Sequence, residues 1–451
     1  MVYTDEWQIG EIDEDIINRI KAGPLRAENE RPDWTADPEY KRAFLRLLEE
    51  KVAEVRHDPD VPERWQGEGR GIVISASCKS GWSSGKFLQQ GYMPSAWACM
   101  SELRRMGCTL PITVAYLGFE EMDHGMCKRL KDEFDADTID LRHINDTKDR
   151  MRVLAGWETK IFAIQHSPYN ECLFMDSDNT AIRDPEYLFE YPKYRKTGAI
   201  FWPDLPPYTR KEWLPKEVWD SVGLQTQPDY VDFESGQLLV NKELTWKALE
   251  ITRFINEHSD YWYKLVFGDK STFFLGWNKL GFDYCMSPNG AGWNKKAILQ
   301  HDLDGELLFQ HCVQDKATLS GYAEQGYLVH EEHCFEAVAE LRRKWDGNLW
   351  HMPFGSKIER DLMEKYAGTR LYTRHAPDME RHLHLYTNGQ IGEGRAELES
   401  QWRAITHHDG RTIMILYNAQ DGPTAVMELR GNKFVGQWLG YEKNPCEVLV
   451  Q

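Results

Sequence analysis

The chain has 451 residues, of which 41% are hydrophobic and 12% aromatic, enough for two or three domains with apolar cores. Its formal net charge of -18 is spread along the chain without a run of lysines or arginines, which argues against duplex nucleic acid or an anionic membrane surface as the main partner. The nine cysteines form no Cys-x-x-Cys pair, so the sequence favours a reducing compartment over a disulfide framework or a thiolate zinc site.

No stretch approaches the ~18 consecutive apolar residues of a membrane-spanning helix, and no signal peptide or membrane anchor is seen. We therefore expect a soluble, cytoplasmic chain. Residues 1–66 predict a helical extension, in which a helix beginning at Pro38 carries apolar residues at helical spacing and ends at His57.

Strands and helices alternate from residue 67 onwards, which predicts a parallel α/β sheet. The continuous apolar run from Ile72 ends at Ser75, as the first buried strand would, and ligands often bind just beyond such strand ends. A helix from Ser95 to Met106 and a strand from Ile112 follow. After a helix around Glu120 to Phe134, another is predicted over residues 148–167, and within it Lys160 is either an exposed lysine or a cation for a phosphate.

Two carboxylates end the next apolar run, at Asp176 and Asp178. Residues i and i+2 of a strand point to the same side, so both can reach one hard divalent cation. The alternative is a solvated strand end with an Asx turn.

Further polar residues end or begin the elements that follow. Another apolar run ends on Asp204, and Glu234 and Gln237 stand at the entry of a strand that precedes a helix from Lys242 to Tyr263. Asp269 opens a further helix, where it is either an N-cap or a catalytic or acceptor-binding residue. Residues 297–311 predict a hairpin that delivers His311, which with two carboxylates would make a plausible Mn²⁺ set.

Seven segments then carry a family resemblance. They are Trp157-Glu-Thr-Lys160, Leu173-Phe-Met-Asp-Ser-Asp-Asn179, Asp184-Pro-Glu-Tyr-Leu-Phe189, Thr197-Gly-Ala-Ile-Phe-Trp-Pro-Asp204, Glu234-Ser-Gly-Gln237, Gly268-Asp-Lys-Ser-Thr-Phe273 and Phe309-Gln-His311. In this order they resemble the fungal-type α-mannosyltransferases of glycosyltransferase family 71, over roughly residues 70–320. The resemblance implies a GT-A fold, a Rossmann-like α/β domain, and transfer of a sugar from a nucleotide-sugar donor to a glycan or other hydroxyl acceptor. Mannose from GDP-mannose is the expected donor.

The resemblance also assigns roles to residues. It implies that Asp176 and Asp178 hold Mn²⁺ (or Mg²⁺) against the donor diphosphate, with His311 as the third ligand. We place Ser75, Lys160, Ser177 and Lys316 on the donor side together with the two aspartates. Glu234, Gln237 and Asp269 are expected on the sugar and acceptor side, as the candidate catalytic residues.

The chemistry of sugar transfer agrees with these residue types. The metal and nearby cations would neutralise charge that develops on the leaving diphosphate. If configuration is retained, the departing phosphate itself can take the acceptor proton, and no protein base is needed. A double displacement would instead need a carboxylate on the far face of the sugar, for which Glu234 is the candidate.

The periodicity changes beyond residue 320. We predict a GT-A domain over 67–320, a helical linker over 321–370 and a C-terminal antiparallel sandwich or barrel over 371–451, because short alternating strands there are separated by Asn-Gly, Asp-Gly and Gly-Asn turns. Trp402 and Trp438 are more often core residues at this spacing than sugar-stacking ones. Two alternatives stay open, a non-catalytic carbohydrate-binding protein on a transferase-like fold and a sugar nucleotidyltransferase.

Overall fold

The structure is a computed structural model that describes residues 14–21, 38–58, 60–79, 81–83, 86–88, 91–118, 121–122, 124–147, 149, 156–206, 214–227, 230–345, 357–375, 378–396, 399–407, 409–418, 422–438 and 444–450. The chain divides into two compact units, one of residues 1–116 and 134–346 and one of residues 117–133 and 347–451. No helix within the described ranges is long and apolar enough to cross a membrane.

The first unit contains most of the helices and the strands up to residue 311. Its helices are α1 Glu14–Lys21, α2 Pro38–His57, α3 Met93–Arg105, α5 Leu141–Thr147, α6 Thr159–His166, α7 Pro192–Thr197, α8 Lys216–Ser221, α9 Lys242–Glu257, α10 Ser259–Trp262, α11 Lys270–Leu280 and α12 Glu331–Lys344, with α4 His124–Phe134 falling almost entirely in the second unit. Its strands are β1 Arg70–Ser75, β2 Gly81–Ser83, β3 Lys86–Leu88, β4 Ile112–Tyr116, β5 Ala136–Asp140, β6 Glu171–Asp176, β7 Asn179–Ala181, β8 Ala199–Pro203, β9 Phe233–Asn241, β10 Cys285–Met286, β11 Gly292–Asn294, β12 Ala297–His301 and β13 Leu307–His311.

A mixed sheet of seven described strands forms the centre of this unit, in the order β10-β8-β9-β6-β1-β4-β5. β1 is parallel to both β4 and β6, whereas β9 is antiparallel to its neighbours β6 and β8. β4 is buried along its whole length and β1 and β6 at all but their end residues, which explains their continuous apolar runs. The prediction of an α/β GT-A domain is confirmed.

A second, antiparallel sheet carries the predicted hairpin, in the order β11-β12-β13-β7. β12 and β13 pair antiparallel on either side of the turn at Asp304–Gly305, so the hairpin prediction is confirmed. β7 follows β6 after a two-residue turn, so the chain passes directly from the central sheet into this smaller one. The two carboxylates lie at this crossing.

The predicted helix over 148–167 is shorter than expected. The described part is helical only from Thr159, and residues 156–158 form a turn, while residues 148 and 150–155 lie outside the described ranges. Apolar spacing alone did not locate the start of the helix, since Trp157 continues the same spacing but lies in the turn.

The N-terminal helix α2 packs against later helices of the first unit, as expected. Phe44 stacks on Tyr261 with ring centroids 4.1 Å apart, and Lys279 forms an ion pair with Glu49. The described part of residues 1–66 is therefore attached to the transferase-like unit.

The second unit is built on an antiparallel sheet in the order β15-β14-β20-β19-β18-β17-β16. Isolated bridges join Leu385 to Ile391 and Gln390 to Gln401, which link the two edge strands and close the sheet in the manner of a barrel. Trp402 is fully buried in its core and donates its indole N–H to the carbonyl of Tyr386 at 2.8 Å, so it is a core residue. The elements are α13 Lys357–Tyr366, β14 Gly368–His375, β15 Asp378–Leu385, β16 Gln401–Thr406, β17 Thr412–Asn418, β18 Gly422–Arg430, β19 Lys433–Trp438 and β20 Asn444–Leu449.

The C-terminal antiparallel β domain is therefore confirmed, and it includes one strand, β14, that the sequence patterns did not indicate. The domain boundaries stay predictions, and the division between the compact units falls between residues 346 and 347, in the middle of the predicted linker. Helix α12 belongs to the first unit and α13 to the second.

A buried lysine at the start of α9 yields a test of stability against pH. Lys242 is 1% exposed and donates to the carbonyls of Gln165 and Ser167, at 3.2 and 2.7 Å. Burial lowers the pKa of Lys242 to about 8. Below pH 8 Lys242 is charged in both the folded and the unfolded chain, whereas between pH 8 and about 10 it is charged only in the unfolded chain. The contribution of Lys242 to stability is therefore largest at high pH and is lost as the pH falls to 8.

We expect the free energy of unfolding of the native chain, relative to a Lys242→Met variant, to rise by about 3 kcal/mol between pH 7 and pH 10.5. Urea denaturation at the two pH values measures this difference. Lys247→Met on the same helix is the matched control, and an equal pH response of both variants would contradict the assignment.

Candidate functional site

The two carboxylates lie where the central sheet passes into the small one. β6 ends at Asp176. The turn that follows consists of Ser177 and Asp178, and β7 begins at Asn179. In the sheet register Ser75 of β1 pairs with Asp176, while Gln237 of β9 pairs with the preceding Met175. Asp176 is therefore flanked by the end of β1 on one side and by β9 on the other.

The hairpin brings His311 to the same point. His311 pairs with Asn179 in the β13–β7 register, which places its Nε2 3.3 Å from Asp178 Oδ1 and 3.9 Å from Asp176 Oδ2. One ligand atom from each of the three residues lies within 4.8 Å of the others. Two carboxylates and an imidazole, with Asp178 and His311 buried, are a donor set that suits Mn²⁺.

Glu234 contacts the imidazole nitrogen of His311 that faces away from the two aspartates. Its Oε1 is 3.2 Å from His311 Nδ1 and accepts the Gly236 N–H at 2.8 Å, and its Oε2 accepts the Gln237 amide at 2.9 Å. Burial raises the pKa of Glu234, but the neighbouring His311 outweighs it and lowers the pKa below its usual value. An ionised carboxylate on Nδ1 turns Nε2 toward the two aspartates, which is the arrangement that metal-binding histidines commonly have.

Gly236 provides the space for this contact. A Cβ atom at residue 236 would lie 2.4 Å from His311 Nδ1 and 2.9 Å from Glu234 Oε2, closer than real atoms approach. The absence of a side chain at Gly236 therefore lets the backbone lie against the imidazole.

A buried lysine closes the β9 side of the site. Lys160 Nζ lies 3.2 Å from a carboxylate oxygen of Asp176 and 3.2 Å from Asp269 Oδ2, and it also donates to the carbonyl of Ser235 at 2.7 Å. Burial lowers the pKa of Lys160, but Asp176 and Asp269 outweigh it and raise the pKa above its usual value. Lys160 is therefore a buried cation, and the alternative that it is an exposed lysine is wrong.

Asp269 does not cap α11 with its side chain. It occupies the N-cap position without a side-chain hydrogen bond to the helix, and its backbone carbonyl, not its carboxylate, accepts from the N–H of Thr272 at 2.9 Å. Its carboxylate contacts Lys160 instead. The predicted capping alternative is therefore wrong for the side chain.

Lys316 closes the opposite, β1 side. Its ammonium contacts Asp178 Oδ2 and lies 5.3 Å from the ring centroid of Tyr92, whose N–H donates to the carbonyl of Ser77 just beyond β1. Burial raises the pKa of Asp178, but Lys316 and His311 outweigh it and lower the pKa. Burial raises the pKa of Asp176.

The raised pKa of His311 is consistent with a site that binds a cation. Burial lowers the pKa of His311, but Asp178 and Glu234 outweigh it and raise the pKa to about 10. The site thus attracts a positive charge at Nε2, and a bound metal ion would take the place of that proton.

The predicted site residues therefore converge, although their segments are scattered along the chain. Ser75, Ser177 and Gln237 line the same strand ends, and the Ser75 hydroxyl is buried without a hydrogen-bond partner in the described structure. Sequence reasoning missed Ser235, whose hydroxyl and carbonyl bind Lys160, and Asn179, whose amide donates to Gln237 Oε1 at 2.5 Å. Both lie inside the quoted segments, so their position beside predicted residues was the available signal.

Comparison with known proteins finds relatives that are named as mannosyltransferases. A family model for mannosyltransferases matches residues 69–218. The α-1,2-mannosyltransferase MNN21 of Candida albicans is 28% identical over 235 residues, which are 41% of this chain and 36% of the relative. The α-1,2-mannosyltransferase MNN2 of Saccharomyces cerevisiae is 26% identical over 258 residues, 46% of this chain and 43% of the relative. The chain thus matches less than half the length of these relatives.

Solved glycosyltransferases are similar only at a distance. GlyE of Streptococcus pneumoniae is 14% identical with a TM-score of 0.36, covering 65% of this chain and 67% of its own. The mannosyltransferase Ktr4p of S. cerevisiae in complex with GDP is 11% identical with a TM-score of 0.29, covering 58% of this chain and 81% of its own. The motifs, the family model and the sequence relatives agree, and the resemblance of this chain to the fungal-type α-mannosyltransferases is confirmed.

Proposed function

We propose that the chain is a metal-dependent, retaining glycosyltransferase that moves mannose from GDP-mannose to a hydroxyl group of a glycan. The observation that carries the proposal is the set formed by Asp176, Asp178 and His311, which contacts the buried Lys160 and the largely buried Lys316. The sequence relatives, named as α-1,2-mannosyltransferases, support mannose as the sugar.

Asp176, Asp178 and His311 would hold the metal, which when bound neutralises charge on the donor diphosphate. Lys316 lies on the β1 side and Lys160 on the β9 side of this set, so cations of the chain itself face the diphosphate from two directions. Their charge stabilises the leaving nucleoside diphosphate as the bond to the sugar breaks, and burial strengthens that interaction.

Glu234 acts in this proposal as a positioning residue. Both of its oxygens are engaged, one with His311 and the Gly236 N–H and the other with the Gln237 amide, so neither is free to attack the sugar. This favours retention without a covalent enzyme intermediate over double displacement. Asp269 and Gln237 would then orient the sugar and the acceptor hydroxyl.

Calorimetric titration of GDP, UDP and GDP-mannose tests the donor class. Each nucleotide is titrated with Mn²⁺, with Mg²⁺ and with a chelator. We expect GDP and GDP-mannose to bind only with metal, and UDP to bind at least about 10-fold more weakly.

Product analysis with GDP-mannose and mannose oligosaccharides then tests the reaction. Formation of GDP and an extended glycan supports transfer. Absence of nucleotide binding under every metal condition would refute the proposal. Formation of GDP-mannose from GTP and mannose 1-phosphate would refute it in favour of a nucleotidyltransferase.

A further inference from the structure

Two large aromatic side chains are exposed beside the buried Lys160–Asp269 ion pair. The side chains of Trp157 and Phe267 are 51% and 64% exposed, and their rings lie 6.2 Å apart between centroids. Tyr263 lies 6.0 Å from Trp157 on the same side. We call Trp157, Tyr263 and Phe267 the aromatic platform. Exposed aromatic rings that touch one another are unfavourable in water and commonly mark a binding surface.

The platform is held in place rather than mobile on the surface. The Trp157 ring packs on the backbone of Gly268, where a Cβ atom would lie 3.0 Å from its Cε3. Tyr263 donates its hydroxyl to Asn256 Oδ1 at 2.5 Å. Lys270 Nζ lies 5.4 Å from the Phe267 ring centroid. Rings fixed in this way lose little conformational entropy when a ligand stacks on them.

The platform adjoins the candidate metal site through both of its chain segments. The carbonyl of Trp157 accepts from the N–H of Lys160 at 3.1 Å, and Phe267 is two residues before Asp269. The side chains of Lys160 and Asp269 meet at 3.2 Å, and Lys160 also contacts Asp176. The two chain segments that carry the aromatic rings are therefore joined to a proposed metal ligand through one ion pair.

Two kinds of ligand could stack on these rings, a nucleobase or a sugar. The position of the aromatic platform on the β9 side distinguishes between them. On the opposite, β1 side, the buried hydroxyl of Ser75 has no hydrogen-bond partner among the described residues, and Lys316 contacts Asp178 and lies over the ring of Tyr92. These groups suit the nucleotide half of the donor, because ligands of α/β sheets bind beyond the carboxyl ends of the parallel strands. The aromatic platform, beside β9 and Asp269, is then left for the acceptor.

We propose that Trp157 and Phe267 form the acceptor subsite, on which a pyranose ring of the glycan stacks through its apolar C–H face. The inference rests on the proposed function and adds to it the subsite that selects the acceptor. A pyranose combines an apolar face with edge hydroxyls, and the aromatic platform combines ring faces with the adjoining Asp269 carboxylate. Stacking accounts for affinity, and Asp269 would orient a hydroxyl group.

The test is calorimetry of the full chain saturated with GDP and Mg²⁺, with α-linked mannotriose and methyl α-D-mannopyranoside as probes. We expect Trp157→Ala and Phe267→Ala each to weaken mannotriose binding about 10-fold or more, while the affinity for GDP changes less than about 2-fold. Trp157→Phe, which keeps a ring, is expected to retain most of the affinity. Trp293→Ala removes a tryptophan that is 45% exposed on β11 and is the matched control.

Several outcomes would overturn the inference. One is mannotriose affinity unchanged in both alanine variants, and another is a native chain that binds GDP with metal but neither sugar probe. A selective loss of GDP affinity in Trp157→Ala would assign the platform to the nucleobase. Failure of the native chain to bind any nucleotide with metal would instead refute the proposed function itself, so the two failures are distinguishable.

Discussion

Replacement of Asp178 by asparagine is expected to lower the rate of mannosyl transfer by about 10³-fold and to remove metal-dependent GDP binding. The amide keeps the shape of the carboxylate but removes the charge that a divalent cation requires. It also leaves the Lys316 ammonium, now in contact with Asp178, without its anionic partner in a buried position. Breaking such a pair costs about 3 kcal/mol of stability.

The measurements are GDP release from GDP-mannose, calorimetry with Mn²⁺ and urea denaturation. The double variant Asp178→Asn with Lys316→Met separates catalysis from folding, because it removes both charges of the pair. We expect it to recover most of the lost stability but none of the metal-dependent binding. Native levels of transfer in the folded single variant would show that Asp178 is not a metal ligand.

Gly236→Ala is expected to weaken Mn²⁺ binding by 10- to 100-fold, although it adds only one methyl group. The new Cβ would lie 2.4 Å from His311 Nδ1, so the imidazole must move away from Glu234 and from the two aspartates. The loss should be partly recovered at high Mn²⁺ concentration, because the two carboxylates of the set are unchanged.

The concentration of Mn²⁺ that gives half-maximal transfer measures this effect. Gly290→Ala is the matched control, since a Cβ atom at residue 290 meets nothing within 4 Å. An unchanged Mn²⁺ requirement in Gly236→Ala would mean that His311 does not bind the metal through the geometry described above.

Much of the site could be predicted because its residues follow strands whose ends meet at one edge of a sheet. Asp176 and Asp178 end an apolar run, and strand ends are visible as changes from apolar to polar residues. His311 was predicted from the hairpin turn, since a short antiparallel connection fixes where its second strand ends.

The start of α6 and the strand β14 could not be predicted from the sequence in the same way. The apolar spacing upstream of Thr159 continues through a turn, and β14 begins in the segment predicted as a linker and runs into the predicted β domain. In both cases local spacing is compatible with more than one structure, and packing against the rest of the chain selects one.

The α/β order, the carboxylate pair, the hairpin that ends at His311 and the C-terminal β domain could be predicted from the sequence. Each of these elements is encoded by residues close together in the chain, where periodicity and turn residues act directly, and the family resemblance linked His311 to the carboxylates. The folded structure shows in addition that Asp269 pairs with Lys160 rather than capping its helix, that Glu234 contacts His311, and that Trp157 lies against Phe267. Those contacts join segments far apart in sequence, and which side chains meet there depends on how the helices pack on the sheet.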